Sequence, residues 1–89
     1  MAQIISTEYI LKALANKRRL SILLFLKKKQ GTTVGDIAKK INLSFTSTSK
    51  HLLVLYRAGL IKRTQKQLFV FYSLNADMPK FVQQILVQR

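Results

Sequence analysis

Residues that interrupt helices and strands are scarce in this chain, and the few that occur mark where its segments end. Among 89 residues there are three glycines and one proline. Gly31 follows the basic run Lys27–Lys29, and Gly59 follows Arg57-Ala58. A glycine just past a helix whose last turn is cationic is typical of a left-handed C-cap. Pro79 suits the first turn of a final helix. Between these marks we predict five helices and a hairpin.

Apolar spacing between these breakers predicts four helices in the first two thirds of the chain. Asn16 and Ser44 have side chains that cap helix N-termini. A short extended segment is expected at Thr32-Thr33, and a turn at Asn42-Leu43. The predicted helices are Ile4 to about Ala15, Lys17 to about Lys29, Val34 to Ile41, and Phe45 to about Ala58.

From Leu60 onward the apolar period changes to two. Leu60–Arg63 and Leu68–Leu74 are rich in β-forming residues and predict the two strands of a hairpin. The predicted tip, Thr64–Gln67, lacks the Gly or Asn that tight hairpin turns favour, so the register stays open. A last helix is predicted over Asp77–Val87. Its continuous apolar stripe consists of Phe81, Val82, Ile85 and Leu86.

The order of these elements predicts the fold class. Two helices separated by a short turn, here the third and fourth, form a helix-turn-helix motif. The predicted class is mainly α with a small β-hairpin, a winged helix-turn-helix of order α-α-(β)-α-α-β-β-α. With a mass of 10.2 kDa, residues 1–89 are expected to form a single domain.

The chain is strongly basic. Sixteen Lys and Arg against three Asp and Glu give a formal net charge of +13. A charge of this size favours a polyanionic partner, with nucleic acid ahead of an anionic membrane. No apolar stretch approaches the roughly 20 residues that span a bilayer. No basic segment precedes an apolar run as in a signal peptide. We therefore expect a cytoplasmic protein with no membrane partner.

The residue inventory argues against an enzyme. There is no cysteine, and His51 is the only histidine. The three carboxylates, Glu8, Asp36 and Asp77, include no pair close in sequence, and no glycine-rich phosphate loop is present. One histidine and three scattered acids do not make a zinc site. We expect no catalytic residue, no cofactor and no metal.

Short hydroxyl side chains dominate the start of the fourth predicted helix. In a helix-turn-helix, the N-terminal residues of the second helix meet base edges in the major groove of DNA. Short hydroxyls stabilise a helix poorly but suit a groove wall. Thr48 is expected in the core, and Phe45 either touches a thymine methyl or packs beneath the turn. The predicted base-reading residues are Phe45, Thr46, Ser47, Ser49 and Lys50.

Cations on the hairpin predict phosphate contacts. A cationic tip beside a recognition helix straddles phosphates or enters the minor groove, although lysines also protect an exposed strand edge from sheet pairing. Lys17, Arg18 and Arg19 oppose the dipole of the helix that they begin, which indicates an anionic neighbour or solvated side chains. The predicted phosphate-binding residues are Ser44, His51, Lys62, Arg63 and Lys66.

A series of short segments carries a family resemblance. The segments are Leu11–Asn16, Arg19–Leu23, Val34–Ala38, Leu43–Ile61 and Phe71–Leu74. In order and spacing they resemble the ArsR-type winged-helix repressors of bacteria and archaea. The resemblance implies a homodimer packed through the first and last helices, here residues 1–15 and 77–89. The implied dimer contacts are Ile4, Ile5, Tyr9, Phe81, Val82, Ile85 and Leu86.

The chain departs from the metal-sensing members of that family. Those members begin the third helix with a cysteine pair, where this chain has Thr33 and Gly35. Other members place His and acidic ligands on the last helix, where this chain has only Asp77. The resemblance therefore implies no metal sensing here.

Together, these features predict a sequence-specific, double-stranded DNA-binding transcriptional regulator. It is expected to act as a homodimer on a pseudo-palindromic operator, as a repressor. The alternative is a winged-helix module that binds protein or RNA and has only nonspecific affinity for nucleic acid. Selection from random duplexes separates the two, because the alternative yields no consensus.

Overall fold

The computed structural model describes residues 2–87, and the side chains of residues 6–87. Over that range the chain forms five helices and one antiparallel two-stranded sheet, in the predicted order. The mainly α class with a hairpin is confirmed. The elements are α1 (Ala2–Leu14), α2 (Lys17–Lys28), α3 (Val34–Ile41), α4 (Phe45–Arg57), β1 (Ile61–Lys66), β2 (Phe69–Leu74) and α5 (Lys80–Val87).

Local capping sets the helix ends. The Asn16 side chain accepts a hydrogen bond at 3.0 Å from a backbone N–H in the first turn of α2. Ser44 does the same for α4 at 3.1 Å, so both predicted caps are confirmed. Gly31 and Gly59 have φ of 73° and 75°, the predicted left-handed conformation. Glycine adopts this conformation without the Cβ clash that penalises other residues. Gly59 ends α4 as predicted, because its N–H donates to the Tyr56 carbonyl at 3.0 Å. The predicted cap at Gly31 is wrong: Lys29 ends α2, and the Gly31 N–H donates to the Tyr72 carbonyl of β2.

The core is built around α2. Ile22, Leu23 and Leu26 on this helix are fully buried. Each of α1, α3, α4 and α5 packs against α2, and so does β2. Burying these apolar side chains supplies the main stabilisation of a domain this small. The other helices contribute Ala13, Leu14, Ile37, Leu52, Leu55, Val82 and Leu86 to the same cluster.

The hairpin is longer than predicted, and its tip lies closer to the C-terminus. Ile61 pairs with Leu74, and the ladder continues without a break to the Lys66–Phe69 pair. The turn is therefore Gln67-Leu68 and not Thr64–Gln67. Gln67 adopts the left-handed conformation, with φ of 55°, that a tight hairpin turn needs. No glycine or asparagine marks this turn in the sequence. The buried Ile61 instead fixes where β1 begins, and its pairing with Leu74 sets the register of the hairpin. The extended segment expected at Thr32-Thr33 forms one isolated bridge, from Thr32 to Tyr72.

Helix α5 starts at Lys80, three residues later than predicted. The Asn75 side chain and backbone carbonyl accept hydrogen bonds from Asp77 and Met78, which forms a turn ahead of the helix. The predicted apolar stripe is divided. Val82 and Leu86 are buried in the core of their own chain, and Phe81 and Ile85 are 38% and 40% exposed.

Three cations of α2 bind carbonyl oxygens at the ends of other helices. Arg18 donates to the Ile41 carbonyl of α3 at 2.8 Å. Arg19 donates to two carbonyls near the end of α1, at 2.6 and 3.1 Å. Lys27 donates to the Leu86 carbonyl of α5 at 3.1 Å. Helix C-termini carry partial negative charge. The side chains of Arg18 and Arg19 therefore bond to peptide carbonyl oxygens at helix ends, so the expectation of purely solvated side chains is wrong for these two residues.

Candidate nucleic-acid interface

The turn between α3 and α4 fixes where α4 begins. Asn42 ends α3 in the left-handed conformation, with φ and ψ both 55°, and its N–H bonds to carbonyls of the last turn. The Leu43 N–H donates to the Ala38 carbonyl at 3.0 Å. Ser44 then caps α4, so that only three residues separate the two helices. A turn this short holds the helices as one helix-turn-helix unit.

The N-terminal part of α4 divides cleanly into an inner and an outer side. Thr48, Leu52 and Leu55 form the buried row, at the spacing of one helix face. The Thr48 Oγ1 atom is buried and has no hydrogen-bond partner among the described residues. Phe45 is 62% exposed, so its ring does not pack beneath the turn.

The outer side of α4 is a row at positions i, i+4, i+7 and i+11. A helix advances 100° per residue, and this row lies opposite the buried one. Thr46 and Lys50 occupy its N-terminal half and are exposed. Ser47 and Ser49 are half-buried and flank the row on either side. Sequence reasoning missed the C-terminal half, although its spacing carried the signal. The full row, hereafter the outer row, is Thr46, Lys50, Leu53 and Arg57.

His51 lies where α2 and α4 meet. Its Nδ1 atom is 3.3 Å from the Arg19 guanidinium. Arginine only donates, so Nδ1 accepts and the neutral ring carries its proton on Nε2. Burial lowers the pKa of His51, and the positive charges of Arg19 and Arg18 lower it further. The ring therefore offers one N–H donor and no positive charge near neutral pH.

The predicted phosphate-binding residues are divided between two elements and two faces. Ser44 is exposed, and its oxygen is occupied as the α4 cap. On β1, alternate residues point to opposite faces of the hairpin. Lys62 and Lys66 therefore share one face, and Arg63 lies on the other. The Arg63 guanidinium stacks 3.9 Å above the ring of Tyr56, which connects the hairpin directly to α4.

The implied dimer contacts are also divided by burial. Tyr9 is 44% exposed on α1, and Phe81 and Ile85 are exposed on α5. Val82 and Leu86 are already covered by their own chain, so their side chains are not available to a partner subunit. The side chains of Ile4 and Ile5 lie outside the described residues.

The described side chains offer no assembled metal site. Among residues 6–87, no three His, Asp or Glu side chains lie close enough together to hold an ion. Across residues 2–87, no helix has the length and apolar character that a bilayer-spanning segment requires.

The fold and the surface described above define a class, the winged helix-turn-helix proteins, and solved structures agree. A homodimeric winged helix-turn-helix DNA-binding domain from Mycobacterium bovis, a possible ArsR-family transcriptional regulator, aligns with a TM-score of 0.83. It is 26% identical, over 98% of this chain and 77% of that one. Reduced HlyU from Vibrio cholerae aligns with a TM-score of 0.81 and 32% identity, over 98% of this chain and 90% of that one. The predicted winged helix-turn-helix fold is confirmed.

Sequence comparison identifies the family. The family described as bacterial regulatory protein, arsR family, matches residues 16–63. The transcriptional activator HlyU of Vibrio cholerae is 36% identical over 86% of this chain and 70% of its own length. The transcriptional repressor SdpR of Bacillus subtilis is 41% identical over 78% of this chain and 76% of its own length. The chain belongs to the arsR family of regulatory proteins and is not an enzyme, as the sequence predicted.

Proposed function

We propose that this chain is a cytoplasmic, homodimeric transcriptional repressor that binds a pseudo-palindromic operator in double-stranded DNA. The observation that carries the proposal is the outer row of α4, which starts with Thr46 and Lys50 in the first two turns. A three-residue turn fixes this end of the helix, and the Arg63–Tyr56 stack attaches a cationic hairpin to it. A helix end presented in this way enters the major groove.

Base reading is assigned to the exposed N-terminal turns of α4. The Lys50 ammonium is a donor suited to the O6 and N7 acceptors of guanine. The Thr46 hydroxyl both donates and accepts, so it suits several base edges. Phe45 offers an apolar contact to a thymine methyl. Ser47 and Ser49 flank the row and complete the proposed reading surface.

Affinity is assigned to residues that meet phosphates on either side of the groove. Lys62, Lys66 and Arg63 supply charge from the hairpin, and Arg57 supplies it from the far end of the outer row. Ser44 and His51 contribute neutral donors, the hydroxyl and Nε2–H. Each phosphate neutralised by a cation releases counterions, so the affinity of this surface depends on salt.

A homodimer doubles this surface. Tyr9, Phe81 and Ile85 are large apolar side chains exposed on the first and last helices. Their burial against a second copy removes apolar area from water. A two-fold protein then reads two half-sites, which is the basis for proposing a pseudo-palindromic operator. Sedimentation of the full chain tests this step, and Ile85→Lys should yield monomers.

We also propose that binding needs no metal. The chain has no cysteine, and its single histidine is engaged with Arg19. One relative, 27% identical over 97% of this chain, is named an arsenic resistance transcriptional regulator from Pseudomonas putida. Here, arsenite or Zn²⁺ should leave the affinity for DNA unchanged. Release of the DNA by either one would contradict this part of the proposal.

Selection of bound duplexes from a random pool, with the full chain, tests the function as a whole. The expected result is a consensus with two-fold symmetry. Log affinity for that duplex should fall with log salt at about 0.9 per phosphate neutralised. Lys28→Ala, an exposed lysine remote from α4 in sequence, serves as the matched control and should keep the consensus. Enrichment of no sequence would favour the alternative, a module for protein or RNA.

Repression is tested by transcription in vitro. A dimer that covers an operator blocks polymerase by occupancy and needs no contact with it. A template with the selected site overlapping a promoter should lose transcript as the protein is added. A gain of transcript would assign an activator instead.

A further inference from the structure

The most exposed large apolar side chain among the described residues lies at the tip of the hairpin. Leu68 is 93% exposed, and its neighbour Phe69 is 58% exposed. The last ladder pair, Lys66–Phe69, closes immediately beneath the turn. The Phe69 and Phe71 rings lie 6.3 Å apart on one strand, so the base of the tip is packed. The hairpin therefore presents one leucine at its end.

Neither turn residue is the one that hairpin geometry favours. Gln67 has φ of 55°, a conformation that glycine or asparagine adopts at lower cost. Leu68 follows it with its side chain in solvent. The core does not explain this leucine, and the turn does not either. An outlier of this kind is a reason to look for a ligand.

The hairpin that carries Leu68 is cationic. Lys66 lies beside the turn, and Lys62 and Arg63 lie near the base of the hairpin. No Asp or Glu occurs between Asp36 and Asp77. An apolar tip on a cationic hairpin complements a groove whose rims are phosphates and whose floor is base edges. The minor groove of DNA, about 6 Å wide, has this character and admits apolar wedges between base steps.

The hairpin is held rigidly relative to α4. Ile61 at its base is 2% exposed, and the Arg63 guanidinium stacks on Tyr56 of α4. When α4 occupies the major groove, this anchored base directs the tip of the hairpin towards the same duplex. Because the base of the hairpin is anchored, contacts made by α4 can offset the free-energy cost of deforming the DNA at the tip.

We propose that Leu68 inserts into the minor groove beside the site read by α4, partly unstacks one base step and bends the DNA. This inference rests on the proposed DNA-binding function and deepens it. The ligand is duplex DNA, and flexible pyrimidine–purine steps are the favoured points of insertion because they unstack at least cost.

The test uses the full chain and the duplex selected above, labelled at both ends so that energy transfer reports the bend. A second set of duplexes carries 2-aminopurine at successive flanking positions, where unstacking raises fluorescence. Leu68→Gln keeps the length of the side chain but makes it polar, and Leu68→Met keeps it apolar. The expected result for Leu68→Gln is loss of most of the bend and of the fluorescence increase, with about tenfold weaker binding and an unchanged consensus.

Two control variants separate insertion from folding. Leu68→Met and Gln67→Gly should both bend DNA as the unaltered protein does. Thermal unfolding of Leu68→Gln should match the unaltered protein, since its side chain is in solvent. Full bending by Leu68→Gln, or a straight duplex with the unaltered protein, would overturn the wedge alone. Absence of any consensus duplex would overturn the proposed function as well.

A membrane is the other candidate ligand for an exposed leucine. Leu68-dependent binding to phosphatidylglycerol vesicles, with DNA bending unaffected, would assign the leucine to a membrane and overturn the inference.

Discussion

The cations of α2 and those of the outer row and hairpin belong to the same strongly basic chain, but they have different surroundings. Arg18, Arg19 and Lys27 on α2 donate to carbonyl oxygens of α3, α1 and α5. Among the described residues, no hydrogen bond or ion pair involves the side chains of Lys50 and Lys66. The first set connects helix ends to the central helix. The second set is exposed and available to an external anion.

This difference shows why net charge alone does not locate a binding surface. A cation bonded to a helix C-terminus lowers the free energy of the fold, because it neutralises partial negative charge left by unpaired carbonyls. A cation without such a partner adds repulsion within the fold, which an external anion relieves. Substitutions of the α2 cations should therefore lower the free energy of unfolding, and substitutions of the outer-row and hairpin cations should instead weaken DNA binding.

The largest expected effect is at Arg19. Arg19→Met keeps most of the side-chain stem and removes the hydrogen bonds to the end of α1 and to His51. We expect a loss of about 2 kcal/mol in the free energy of unfolding, because charged hydrogen bonds are lost at a partly exposed site. Urea denaturation at fixed protomer concentration measures it. Lys17→Met, at an exposed position two residues earlier on α2, should cost less than about 0.5 kcal/mol. Equal costs for the two variants would show that the hydrogen bonds of Arg19 to carbonyl oxygens add no stability.

The next effect concerns Lys50 and Lys66 on the binding side. Lys50→Ala should relax preference at one base position by about tenfold, since a direct base contact is lost. Lys66→Ala should weaken all sequences alike and reduce the salt slope by about 0.9. Competition binding against single-base variants of the selected duplex measures both. Stability should stay within about 0.5 kcal/mol for each variant. The same relaxation by both would contradict the division between reading and affinity.

A smaller effect is expected within α2 itself. Lys27→Ala removes the donor to the Leu86 carbonyl at the end of α5. Its neighbour Lys28 is exposed and serves as the matched position. We expect about 0.5 kcal/mol of lost stability for Lys27→Ala and close to none for Lys28→Ala. Urea denaturation of the two variants measures the difference, and equal free energies of unfolding would show that the hydrogen bond from Lys27 to α5 adds no stability.

The smallest effect is the pH dependence contributed by His51. Its pKa is lowered in the folded protein by burial and by Arg19 and Arg18, so the unfolded chain binds the proton more readily. The contribution of His51 to the free energy of unfolding is therefore fully present above the unfolded pKa of about 6.5, and it is lost as the pH falls below that value. His51→Gln should flatten this part of the stability profile. If the free energy of unfolding of His51→Gln falls with decreasing pH as steeply as that of the unaltered protein, His51 is not the source of this dependence.

Local signals in the sequence located most of the fold and part of the candidate site. Asn16, Ser44 and Gly59 act on backbone groups within one helical turn, so their roles were predictable from adjacent residues. The exposed start of α4 was also predicted. The predicted reading surface was incomplete, because it followed the hydroxyl-rich segment at positions 45–50 and ended there. The spacing that adds Leu53 and Arg57 to the outer row was readable from the sequence, since these residues lie opposite Thr48, Leu52 and Leu55 on a helix.

The sequence by itself determined the element order, the helix caps, the positive charge and the absence of cysteine. The tertiary structure decided the hairpin register, the split of the α5 stripe into Val82 and Leu86 inside and Phe81 and Ile85 outside, and the role of the α2 cations. The physical reason is the distance along the chain between partners. A cap acts across three residues, whereas Arg18 meets a carbonyl 23 residues away and Lys27 meets one 59 residues away. Only the packed core brings such groups within hydrogen-bond distance.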